Sequence, residues 1–211
     1  MHPRDFHSII FDLGGVILNI DYHRTTRAFK ALGMDDFERH FTQLKQQHLF
    51  DLYETGHISD ADFRLGLRPH LRPDVTDAEI DDAWNAMLLD LPSARLNLLR
   101  ELAEGRRLFL LSNTNGIHID AFHALLKREH DLSDLAGFFE RVYYSYQIGM
   151  RKPDPAIFLK VCTDNGLDPE FTLFIDDSPQ HVEGARTAGL KAVHLTGQDI
   201  LQFFQTDSIK S

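Results

Sequence analysis

The sequence predicts an α/β protein: a Rossmann-like parallel sheet flanked by helices, with a helical bundle inserted after its first strand. Three observations predict this. Short apolar runs alternate with helix-length segments outside residues 21–91, the pattern of a parallel sheet covered by helices. Three of those runs end in polar residues, at Asp12, Ser112-Asn113 and Asp176-Asp177. Within residues 21–91 the strand pattern disappears and apolar residues recur at helical spacing instead.

The first strand spans residues 9–11, an apolar run that delivers Asp12 to its C-terminal edge. Gly14 and Gly15 follow at once and permit a sharp turn. A helix over residues 22–32 carries Tyr22, Ala28, Phe29 and Leu32, and Gly33 stops it. A second opens at Met34-Asp35-Asp36-Phe37, with Phe37, Phe41 and Leu44 on one face. A third runs through residues 48–53 and stops near Gly56. Ser59-Asp60-Ala61-Asp62 resembles a capping box and starts a helix through Leu67. Thr76-Asp77-Ala78-Glu79 matches that box directly, ahead of a helix with Ile80, Trp84, Met87 and Leu88 on one side.

Beyond Leu91 the alternation resumes. Helices are predicted over residues 94–102, 119–127, 155–165 and 180–188, and strands over 107–111, 141–144, 172–175 and 191–195. Residues 1–20 and 92–211 therefore make the α/β core. Residues 21–91 make a helical cap that leaves the C-terminal edge of the first strand and overhangs it as a lid.

With 211 residues, 43% of them hydrophobic, the chain is long enough for a full core and a modest insert. Its net charge of -10, with no basic stripe, argues against nucleic acid. A phosphate ligand remains compatible, because local donors and a metal overcome a diffuse field. One cysteine, Cys162, cannot form an internal disulfide and suits a reducing compartment. No signal-peptide pattern and no apolar run of membrane-spanning length is present, so the expected location is cytoplasmic, off the membrane.

Taken singly, each polar strand end reads as a turn or a helix cap. In a parallel sheet all three meet at one edge, where open α/β sheets bind ligands. Oxygen-rich loops with two acidic strands suit a hard cation such as Mg²⁺, with Asp12, the Gly14 carbonyl and Asp177 as ligands and Asp176 joining through water. Lys152 sits in a loop stiffened by Pro153 and Pro155. It reads either as a solvated lysine or as an ammonium held toward Asp12 and a bound phosphate.

Phe11-Asp12-Leu13-Gly14-Gly15-Val16, Leu111-Ser112-Asn113, Lys152-Pro153 and Ile175-Asp176-Asp177 resemble the four ordered motifs of the haloacid dehalogenase-like hydrolase superfamily. The insert resembles that superfamily's first type of cap. The resemblance implies that Asp12 attacks a phosphoryl group to form an aspartyl-phosphate, with Mg²⁺ bound between nucleophile and phosphate. Ser112, Asn113, the backbone of Leu13 and Gly14, and Lys152 would hold the phosphate oxygens. The implied substrate is a small phosphorylated metabolite, such as a sugar phosphate, and the implied assembly a monomer or homodimer.

One position departs from the pattern. The superfamily's phosphatases usually carry a second aspartate, an acid–base group, two residues after the nucleophile; here that residue is Gly14. Some sugar 1-phosphate phosphatases of the superfamily look similar there. Either the leaving group is good already, another group substitutes (Asp21 and His23 are the candidates), or turnover is slow. The alternatives are a haloacid dehalogenase, which lacks the paired acids, and a non-catalytic phosphate-binding or regulatory protein on the same fold. Arg24, His48 and Tyr53 are candidate cap contacts. His118 and His123 read as helix-surface residues, Asp81-Asp82 as a solvated helix start, and Trp84, Phe138-Phe139 and Phe203-Phe204 as packing residues.

Overall fold

A five-stranded parallel sheet in the order β3-β2-β1-β4-β5 organises the chain in a computed structural model that describes residues 2–37, 39 and 48–205. The central strand, β1 (Ser8–Phe11), pairs with β2 (Arg107–Ser112) on one side and β4 (Thr172–Asp176) on the other. β3 (Arg141–Tyr144) and β5 (Lys191–His194) close the edges.

The side-chain period of two divides the apolar runs between the faces. Ile9, Phe11, Leu108, Leu110, Leu173 and Ile175 pack with α5 (Ser93–Ala103) and α6 (Gly116–His130). Ile10, Phe109, Leu111 and Phe174 face α8 (Pro155–Asn165) and α9 (Pro179–Thr187). Burial on both faces explains why β1 and β4 read as continuous apolar runs rather than alternating ones.

Between β1 and α5 lie α1 (Tyr22–Ala31), α2 (Leu49–Glu54), α3 (Asp60–Leu67) and α4 (Asp77–Asn85). Capping boxes at Ser59/Asp62 and Thr76/Glu79 start α3 and α4 as the sequence signals. These helices share a third cluster around Phe29, Tyr53, Phe63, Ile80 and Trp84, joined by Ile117 from α6. Met34 and Phe37 bury in that cluster, whereas Phe41 and Leu44 lie outside the described residues. The two connections to the sheet run side by side. Asn19 N–H donates to Asp90 O at 3.0 Å, Leu89 N–H to Asn19 O at 3.0 Å and Asp21 N–H to Met87 O at 2.9 Å.

Several readings need correction. β4 continues through Asp176 rather than ending at Ile175. α6 begins at Gly116 because the Asn115 side chain caps it, accepting from His118 N–H at 3.0 Å. The short helices α7 (Ser145–Ile148) and α10 (Ile200–Phe203) span too few residues to show a period. Asp81 is not a solvated helix start; it lies inside α4 and takes both Arg64 Nε (2.8 Å) and Arg64 Nη2 (2.7 Å). His118 is buried, with its ring stacked 4.8 Å from that of Trp84. Trp84, Phe138, Phe139, Phe203 and Phe204 are buried as expected, and so is Cys162. Among the described residues, no helix is long and apolar enough to cross a membrane.

Candidate active site

Strand register builds the site. Phe11 stands beside Ile175 in the parallel pair, so the next residues, Asp12 and Asp176, leave adjacent strands side by side. Asp12 N–H still donates to Ile175 O at 2.9 Å, which extends the ladder to that point. Both carboxylates alternate onto the face of Ile10 and Phe174, where the loop before α8 delivers Lys152.

Lys152 is fully buried, with Nζ 2.8 Å from Asp12 Oδ1 and 2.7 Å from Asp176 Oδ2. The loop that carries it is clasped by Asn113, whose Nδ2 donates to Lys152 O and whose Oδ1 accepts from Lys152 N–H, both at 2.9 Å. The amide expected on a phosphate therefore fastens the lysine loop. Buried Ser145 anchors the same strand end, donating to Thr114 O at 3.1 Å and accepting from Thr114 N–H at 2.9 Å.

Asp12 Oδ1 also accepts the Leu13 N–H at 2.7 Å. The turn that follows is locked by Gly15 N–H on Leu18 O and Leu18 N–H on Leu13 O, and the Gly14 N–H has no acceptor among the described residues. Gly15 has φ +73°, and a Cβ there would stand 2.1 Å from Asp177 Oδ2. Glycine is thus required for the Asp177 carboxylate to cross over the turn.

Asp12 and Asp176 share the Lys152 ammonium and the charge of Asp177 acts on Asp12 as well, an excess of negative charge that a divalent cation would neutralise. Burial pushes the Asp12 carboxyl up against the pull of Lys152, and the charges of Asp176 and Asp177 push it further. Asp177 is raised for the same reasons, burial first and then Asp176. Asp176 behaves oppositely: despite burial, Lys152 and His181 hold it below the usual carboxylate range. Asp12, Asp176 and His181 bring one ligand atom each within 4.8 Å of one another. However, Asp176 Oδ2 is held by Lys152, while Oδ1 accepts Ser178 N–H at 2.8 Å and lies 3.0 Å from His181 Nδ1. Asp177 and Gly14 line the open cleft, so oxygen donors suited to Mg²⁺ are present there.

The cleft encloses about 400 Å³ above Asp12 and is lined by Ser112, Asn113, Ser178 and His181, by Tyr22 of α1 and Glu54 of α2, and by Arg151. A second cavity of about 460 Å³ opens beside it, sharing Tyr22, Glu54, Asn113 and Arg151 and floored by Phe37, Phe50, Trp84 and Met87. Arg151, in the loop before α8, forms ion pairs with α2 through Asp51 and, at 2.8 Å, Glu54.

The structure thus gathers Asp12, Leu13, Gly14, Ser112, Asn113, Lys152, Asp176 and Asp177 at one edge. Other expectations change. Asp21 caps α1, accepting His23 N–H at 2.9 Å, and His23 lines the second cavity only. Arg24 and His48 are exposed and line neither cavity. Tyr53 is buried, donating to Asp60 and accepting the Ile117 N–H. Sequence reasoning missed Tyr22, Glu54, Arg151 and His181. Arg151 and His181 had a signal, as chain neighbours of Lys152 and Asp176. Glu54 had none, because its place depends on how α2 packs against the loop that carries Arg151.

A family model for haloacid dehalogenase-like hydrolases matches residues 6–189. A D-ribitol-5-phosphate phosphatase of Bacteroides thetaiotaomicron is 29% identical over 184 residues, 87% of this chain and 89% of that protein. A phosphorylated carbohydrates phosphatase of Thermotoga maritima is 24% identical over 194 residues, 89% of this chain and 83% of that one. The crystal structure of a Bacteroides thetaiotaomicron enzyme of the same family, in complex with magnesium and inorganic phosphate, aligns with a TM-score of 0.83 at 36% identity, covering 94% of this chain and 99% of that chain.

Proposed function

The chain belongs to the haloacid dehalogenase-like hydrolases, and on that premise we propose that it is a Mg²⁺-dependent phosphatase acting on a small phosphorylated carbohydrate. The observation that carries this reading is Asp12: a buried carboxylate at the sheet edge, gripped on Oδ1 by Lys152 and by the Leu13 N–H, and open to the cleft on its other side. Relatives that act on ribitol 5-phosphate and on phosphorylated carbohydrates support the substrate class.

With Oδ1 fixed, Oδ2 is the attacking oxygen, and it forms an aspartyl-phosphate. Lys152 neutralises the incoming phosphate, while Asp176 holds the ammonium in place and Asn113 holds its loop. The Gly14 N–H and the Ser112 hydroxyl bind the equatorial oxygens, which is the positioning and charge stabilisation such transfers need. Asp12, the Gly14 carbonyl and Asp177 would hold Mg²⁺, which supplies the positive charge that lets two anions approach. Residues 21–91 cover the cleft as a cap and read the leaving group in the second cavity, whose aromatic floor suits the apolar face of a sugar or polyol. We assign the protein to the cytoplasm, and to a monomer or homodimer that sedimentation would distinguish.

Phosphate release from a panel of sugar and polyol phosphates, with and without Mg²⁺, tests the reading. Activity is expected with Mg²⁺, loss on chelation, and none above background for Asp12→Asn. Substantial turnover by Asp12→Asn would reject the nucleophile.

A further inference from the structure

Gly14 leaves the reaction without the acid that usually stands there, and the alkoxide of a sugar or polyol is a poor leaving group. An in-line attack from Asp12 drives the departing oxygen away from the sheet, toward the cap. The proton donor must therefore stand on the cap side of the cleft. Among the described residues that line it, Asp12 and Asp177 already have roles, and His181 Nδ1 is turned to Asp176. Tyr22 lies at the mouth, 63% exposed. Glu54, at the C-terminal end of α2, is the remaining carboxylic acid lining the cleft.

Its surroundings suit a carboxyl that carries a proton. Its side chain is only 20% exposed. Arg151 supplies one guanidinium to two carboxylates, Asp51 and Glu54, so a proton on Glu54 makes the trio neutral. Glu54 Oε2 lies 2.8 Å from Arg151 Nη2, yet among the described residues that buried oxygen has no hydrogen-bond partner. Burial raises the Glu54 carboxyl above its ordinary range and the charge of Asp51 adds to this, against Arg151 and Lys152. Placement in the cleft and a charge balance that favours a proton are what a general acid needs.

We propose that Glu54 is the general acid and base that replaces the residue missing at Gly14. As the Asp12 Oδ2–P bond forms and the P–O bond to the leaving group breaks, the Glu54 proton passes to the departing oxygen, and the alcohol leaves. Water then enters the vacated side, Glu54 takes its proton, the new O–P bond forms and the Asp12 Oδ2–P bond breaks, releasing phosphate. This rests on the phosphatase reading above.

The test compares wild type and Glu54→Gln on two esters with Mg²⁺. One is the alkyl phosphate that wild type turns over fastest; the other is 4-nitrophenyl phosphate, whose phenolate needs no proton to leave. The alkyl rate is expected to fall about 10²–10⁴-fold. With the aryl ester, the first equivalent of nitrophenolate should appear in a burst at nearly the wild-type rate, followed by slow turnover and an accumulated aspartyl-phosphate visible by mass. Equal loss of the burst and of the alkyl rate would mean that Glu54 only shapes the site through Arg151, and unchanged rates would remove it from the reaction. Either overturns the proposal while leaving the phosphatase reading intact. Inactivity of wild type toward every ester would instead sink that reading, and this one with it.

Discussion

Lys152 shows how much a single side chain carries in this molecule. It has no exposed surface, and it holds two acids that come from different strands. Removing one partner from a buried charge cluster costs about 3–5 kcal/mol, because the remaining charges stay desolvated and unpaired. Lys152→Met is therefore expected to lower stability by roughly that amount in urea melts and to abolish phosphate release. A loss below about 1 kcal/mol would show that water replaces the ammonium freely. The lysine's motif was legible in the sequence, but its burial was not. A lysine just ahead of two prolines looks solvated until β1 and β4 place Asp12 and Asp176 beneath it.

At the scale of elements, α9 shows packing overruling local preference. Gly184 stands inside that helix, where alanine is intrinsically better by about 1 kcal/mol. Yet a Cβ at Gly184 would meet the Pro153 carbonyl oxygen at 2.1 Å. Crowding of that kind costs about 1–3 kcal/mol and shifts backbone. Gly184→Ala is thus expected to lower the Tm and, by displacing the loop that carries Lys152, to lower kcat. A rise in Tm would mean that the loop absorbs the clash. Most helices and all the strands were readable beforehand, because capping boxes, stop glycines and apolar runs are local signals. The four-residue helices α7 and α10 were not, since neither repeats a period.

Across the whole molecule, the helices between β1 and α5 meet the rest of the chain through specific contacts. Trp84 of α4 stacks on His118 of α6 and points its indole N–H at Asn115, 3.4 Å away, while Arg151 holds Asp51 and Glu54. Burial pushes His118 down to about 3 from an ordinary 6.5. On acidification the unfolded chain takes up this proton before the folded one does. The contribution of His118 to stability is therefore complete above its ordinary value and is lost progressively as pH falls toward the folded one. Near pH 4.5 the loss through this residue reaches about 2–3 kcal/mol. His118→Phe is expected to flatten the fall of stability between pH 7 and 4.5. Parallel curves for the two proteins would show that the imidazole reaches water from the folded state.

The amino-acid order by itself determined the α/β alternation, the inserted helices and the acidic strand ends, because each is written in residues close together along the chain. It also exposed the gap at Gly14. Only the tertiary structure decided what fills that gap. Asp21 and His23, near in sequence, are taken up by a helix cap and a neighbouring cavity, whereas Glu54 reaches the cleft through the docking of α2 against Arg151. Sequence distance carries no information about which face of an inserted helix will meet the sheet edge; that depends on tertiary packing, which no local pattern encodes.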